Sequence, residues 1–128
     1  MGFGQRIAQA IMGRSIELPP DIISRYPELG RASYRRGGLP VRIGGWALGT
    51  SSAAAITLWR TIFLAKDEPL SAALLLHELR HVHQFLESRA FPFSYLWQSI
   101  RYGYSRNAYE VDARRYSESR LGTSDKDL

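Results

Sequence analysis

The chain contains no cysteine. A disulfide framework, a thiolate metal site and a cysteine nucleophile are therefore excluded together. Any metal must be held by imidazole and carboxylate, a donor set that points to zinc in a catalytic rather than a structural role. Long apolar runs are missing too, since no stretch approaches the roughly 18 residues that a membrane-crossing helix needs. Residues Ile7 to Met12, after Arg6, are too short and are interrupted by Gln9, so they fail as a signal-peptide core. Met1-Gly2 opens like an acylation site, but Arg6 stands where Ser or Thr is required. These absences lead to the expectation of a soluble, cytoplasmic protein with no membrane partner. Lysine is scarce: of 17 basic residues only Lys66 and Lys126 are lysine, against 12 acidic residues. The net charge of +5 is spread along the chain, and its densest cluster, Arg31 to Arg36, reads as solvated surface. Nucleic acid is accordingly not expected as a partner; an Arg-rich nucleic-acid-associated protein is kept as an alternative, testable by the salt dependence of binding.

What is present fits one globular domain. The 128 residues are 45% hydrophobic and 23% charged, enough to bury a core without staples. Histidine is rare but not scattered. All three, His77, His81 and His83, fall within seven consecutive residues, in Leu74-Leu-Leu-His77-Glu78-Leu-Arg-His81-Val-His83-Gln84. This stretch contains the HExxH pattern. Three fixed letters recur by chance, but the clustering of every histidine in the chain sharpens the signal. On a helix, His77 and His81 are four residues apart and share one face, so both rings can reach one metal ion. Glu78 projects from the same turn, where it can act as general base toward an activated water. At about 100° per residue, Leu75, Leu79, Val82 and Leu86 form a narrow apolar stripe, with His77 and His81 on the other side.

Read in order, residues 3 to 13 carry a helical pattern. Pro19-Pro20 breaks the chain, Asp21 starts a short helix through Arg25, and Pro27 to Arg31 is a second break. Gly37-Gly38-Leu39-Pro40 is a turn. Val41 to Ile43 reads as a short strand, and Ile56 to Leu64 as the best strand of the sequence. The stretch Gly49 to Ser52 suits a hairpin connection between them. Asp67 to Pro69 turns into the histidine helix, which is capped by Ser71 and runs to about Ser88. A further helix is expected from Ser94 to Tyr102, stopped by Gly103. A last one, capped by Asn107, spans Ala108 to about Arg120 and ends at Gly122, before a frayed tail, Thr123 to Leu128. The fold class is α+β, a small antiparallel sheet packed against three or four helices. Internally, residues 1–40 form an N-terminal segment, 41–122 a core and 123–128 a tail.

Two histidines do not complete a zinc site. His83 lies about 200° around the helix from His81 and is a flanking residue. An extended HExxHxxGxxH motif is excluded, because Gln84 and Glu87 occupy the positions of Gly and His. A carboxylate on a following helix remains, and Asn107-Ala-Tyr-Glu110-Val-Asp112-Ala offers two, Glu110 and Asp112.

With His77, Glu78, His81 and then Asn107-Ala-Tyr-Glu110-x-Asp-Ala, the chain resembles the gluzincin zinc metallopeptidases, and in its brevity the minigluzincins. The resemblance covers roughly residues 41 to 120. It implies a zincin-like minimal catalytic core holding one zinc through His77, His81 and Glu110. It implies hydrolysis of a peptide or protein substrate by a zinc-activated water, with Glu78 as base. The strand Ile56 to Leu64 would then align substrate by edge pairing. Many gluzincins have an acid four residues after the ligand Glu; here Arg114 stands there, so the group orienting a zinc histidine must come from elsewhere. The oxyanion donor is sought among Tyr95, Tyr102, Tyr104 and Tyr109, and Tyr104 is preferred as a loop residue beside the ligand helix. Minimal gluzincins also occur as latent forms, and residues 1–38 or the tail are the segments able to cover a cleft. A zinc-binding recognition domain without hydrolytic activity is the other alternative, and the oligomeric state is left open.

Overall fold

Ile62, Phe63 and Leu64 are consecutive and buried, and the first half of the chain is built around them. Such an unalternated apolar run fits a strand covered on both faces. The computed structural model describes the backbone of residues 2–47 and 54–126. The chain is α+β, with six α-helices, one 3₁₀ helix and four strands among the described residues. It divides into two compact units, Met1–Leu70 and Ser71–Leu128. The internal boundary expected near residue 40 does not coincide with this division. None of the described helices is long and apolar enough to cross a membrane.

The first unit contains α1 (Phe3–Met12), β1 (Arg14–Ile16), α2 (Pro20–Arg25), a 3₁₀ helix (Pro27–Arg31), β2 (Ser33–Arg36), α3 (Leu39–Ala47), β3 (Ala55–Leu58) and β4 (Thr61–Leu64). The sheet order is β1-β2-β4-β3. β1 and β3 pair antiparallel with their neighbours, whereas β2 and β4 run parallel, Tyr34 opposite Ile62 and Arg36 opposite Leu64. The sheet is thus mixed rather than antiparallel. β1 and β2 supply half of it, so residues 1–38 are part of the sheet and not an appended segment.

Three expected elements differ. The single strand Ile56 to Leu64 is a hairpin, β3 and β4, joined by Trp59-Arg60 with Leu58 opposite Thr61. Trp59 has φ +54°, the positive value that a two-residue hairpin turn requires. Val41 to Ile43 lies inside helix α3, whose second residue is Pro40, a position where its missing N–H is harmless. Val41 is buried while Arg42 and Ile43 are exposed. The basic cluster is strand β2 with its guanidiniums tied to backbone. Arg35 donates from Nε to the Met12 carbonyl (2.5 Å), and Arg36 donates from Nη1 to the carbonyls of Ala65 (3.0 Å) and Glu68 (2.9 Å). The proposed connection Gly49 to Ser52 lies outside the described residues.

Where α1 ends, Gly13 (φ +66°) passes so close to the turn after β2 that a Cβ there would meet the Arg36 carbonyl oxygen at 2.3 Å. Only glycine fits this crossing. Behind it, Tyr34 is buried and donates its hydroxyl to the Leu29 carbonyl at 2.7 Å, fastening β2 to the 3₁₀ helix.

The second unit is helical: α4 (Ala72–Glu87), α5 (Phe91–Tyr102) and α6 (Ala108–Lys126). Ser71 caps α4 as expected, its hydroxyl accepting from the Leu74 N–H at 3.1 Å. Leu75, Leu79 and Val82 are buried along the predicted stripe, while Leu86, near the helix end, is 54% exposed. α5 starts three residues earlier than expected, because Pro92 sits in its first turn, and it stops at Gly103 (φ +81°). α6 continues past Gly122 through Lys126, so four of the six tail residues are helical. α4 packs along α6.

Candidate metal centre

His77 and His81 stand one turn apart on α4 with ring centroids 5.0 Å apart. Their Nε2 atoms converge on a single carboxylate oxygen. Glu110 Oε1, from the first turn of α6, lies 2.8 Å from His77 Nε2 and 3.0 Å from His81 Nε2. Glu78 completes the cluster: donor atoms of His77, Glu78 and His81 all lie within 4.8 Å of one another. Glu78, His81 and Glu110 are buried.

The donor set fits a metal ion. Two imidazoles and a carboxylate, with no thiolate, form a donor set suited to a divalent ion. Tetrahedral zinc bonds of about 2.0–2.1 Å place ligand atoms about 3.3 Å apart, so an ion would need the donors to part by only a few tenths of an ångström. Burial alone would push the Glu110 carboxyl up; hydrogen bonding to His77 and His81 outweighs it and holds the group well below the usual carboxylate range. Glu110 therefore stays anionic. Burial likewise opposes a proton on His81, but contact with Glu110, the charge of Glu78 and the bond to Gln84 together raise its pKa.

The other sequence candidates separate clearly. Asp112, the rival for the third ligand, faces Arg80 instead, accepting from its Nε at 2.6 Å. Arg80 and Gln84 lower the Asp112 pKa against the effect of burial. His83 packs edge-on against Tyr116, with ring centroids 5.5 Å apart. Arg114 donates to the Ser105 carbonyl at 2.5 Å and so ties the loop before α6.

The tyrosines take different places. Tyr95, on α5, donates its hydroxyl to Glu110 Oε2, the oxygen not shared by the histidines. Burial and the neighbouring Glu110 raise its pKa strongly, so it remains a donor. Tyr104 is half exposed; burial, with the charges of Glu110 and Glu78, pushes its hydroxyl up to about 12. The structure thus brings Tyr104 into the field of both carboxylates as a neutral phenol. Asn107 is fully buried and fixes the start of α6. Its Oδ1 accepts from the Tyr109 N–H (2.9 Å), and its Nδ2 donates to the Tyr95 carbonyl (3.1 Å) and Ser99 Oγ (2.8 Å).

Two contributors escaped sequence reasoning. Tyr95 was one of four tyrosines with nothing to single it out. Gln84 stands where the extended motif would carry glycine, yet its Oε1 lies 2.7 Å from His81 Nδ1, the contact that fixes a ring nitrogen. One signal was available: Gln84 is three residues beyond His81, close enough on a helix for their side chains to meet.

Comparison of the chain with family models, with curated proteins and with solved structures gives no match.

Proposed function

We propose that the Ser71–Leu128 unit carries the site of a zinc-dependent peptidase of gluzincin type, acting on a peptide or protein substrate. The observation that supports this most is the convergence of His77 Nε2 and His81 Nε2 on one oxygen of Glu110. That oxygen comes from the residue singled out by its match to the gluzincin pattern. When bound, zinc supplies a Lewis acid that acidifies water and polarises a carbonyl. His77, His81 and Glu110 are the residues that would hold it.

The rest belongs to the chain's own groups. Glu78 takes a proton from the attacking water and later passes it to the leaving amine. Its carboxylate suits that role because Glu110, held by Tyr95 and both histidines, takes the part of anionic ligand. Tyr104 keeps its proton at neutral pH and would donate a hydrogen bond to the developing oxyanion. The carbonyl partners of Arg35 and Arg36 weigh against nucleic acid as a target.

The test is zinc content by elemental analysis of purified protein, followed by digestion of a fluorogenic peptide library. About one zinc per chain with chelator-sensitive hydrolysis is the expected result. Zinc without hydrolysis would favour a recognition domain, and absence of zinc uptake would end the reading.

A further inference from the structure

We infer that Gln84 is a positioning residue for His81, set in place by Asp112 and Arg80; this rests on the metal reading above. The argument runs through donors and acceptors. Gln84 Nε2 faces two oxygens, Asp112 Oδ2 at 2.9 Å and the Tyr109 carbonyl at 3.1 Å. Asp112 Oδ2 is itself bonded to Arg80 Nε at 2.6 Å, so it acts as an acceptor. A carbonyl oxygen can only accept. The amide of Gln84 must therefore present its NH₂ to this pair, since a flipped amide would set three acceptors against one another.

With the amide so fixed, its Oε1 is what His81 Nδ1 meets, at 2.7 Å. Nδ1 must then carry the proton. Nε2, the nitrogen that points at Glu110 Oε1, is then the one left to exchange its proton for a cation. The chain Arg80, Asp112, Gln84, His81 thus selects the tautomer that can bind a cation and holds the ring against rotation. Gln84 is 4% exposed, so no exchange with bulk water loosens the link.

Zinc affinity, measured by competition with a chromophoric chelator, tests the relay, with folding of each variant checked by circular dichroism. Gln84→Leu is expected to weaken zinc binding by about 10–100-fold. Gln84→Glu should do the same, because two carboxylates would then face each other at positions 84 and 112. Asp112→Asn alone alters a half-exposed side chain and is expected to cost about tenfold. Long-range ¹H–¹⁵N spectra of the zinc-loaded wild type should show His81 protonated at Nδ1. Unchanged affinity in Gln84→Leu, or a proton on Nε2, would overturn the inference while leaving the zinc reading standing. A wild type that takes up no zinc overturns both.

Discussion

Glu78 and Glu110 are buried carboxylates beside the same two histidines, and their neighbours divide the labour between them. Glu110 is pinned from both oxygens, by the imidazoles on one and by Tyr95 on the other. Replacing Glu78 by Gln should leave zinc content near one per chain and lower peptide hydrolysis by at least about 100-fold, measured as kcat/KM. Loss of zinc in that variant would instead make Glu78 a ligand. Far from the site in sequence, Tyr34 offers a pH-dependent test. Burial raises the pKa of its hydroxyl in the folded state. Its share of stability is therefore complete below the unfolded value of about 10, and declines as pH climbs above it. Tyr34→Phe should flatten the alkaline fall of Tm between about pH 9 and 11. At neutral pH the same variant should lose about 1 kcal/mol, because the buried hydroxyl's bond to the Leu29 carbonyl is gone.

At the level of elements, α4 was legible almost to the residue. Its cap, its stripe and its histidine spacing all state one helix, and local signals agree with the final structure. Gly103 and Asn107 marked the boundary between α5 and α6 for the same reason. The sheet was not legible, because its decisive pairing is between β2 and β4, which are remote in sequence and joined in parallel. β2 itself was hidden by its arginines, whose backbone partners lie 22 to 32 residues away. The hairpin turn was hidden by composition, since Trp59-Arg60 carries no turn residue. Positive φ at its first central position alone is the pattern that favours glycine there. Trp59→Gly should relieve strain and stabilise the first unit by about 1 kcal/mol, read as a rise in Tm of several degrees. A fall in Tm would mean that the indole's own contacts outweigh the strain. In the site the histidines and Glu110 were legible as a pattern, whereas Gln84 and Tyr95 act through distances that only folding sets.

Across the whole molecule, the ligand set lies entirely within Ser71–Leu128, and the sheet entirely within Met1–Leu70. Metal removal should therefore act on one unit. Adding EDTA to the zinc-loaded protein should lower the unfolding temperature of the helical unit, since a native-state ligand at 1,000 times its Kd contributes about 4 kcal/mol. Amide exchange should rise in α4 and α6 and stay unchanged in β2 and β4. The expectation that an end of the chain is able to cover the site also changes. Removing residues 1–38 would delete two of four strands, so the product should be insoluble rather than activated. The tail continues α6 beyond Glu110, and its helical turns carry residues 123–126 away from that residue.

The parallel pairing of β2 with β4 also has a consequence in time. A ribosome delivers Ser33 about 28 residues before Thr61, its partner in the register. At roughly 5–20 residues per second, β2 waits for seconds with one long edge uncovered. During that interval its exposed backbone is flanked by Arg31, Arg35 and Arg36, and like charges of this density discourage one nascent strand from pairing with another. Arg35, which later ties to Met12, and Arg36, which later ties to Ala65 and Glu68, would thus serve first as guards of an unfinished sheet.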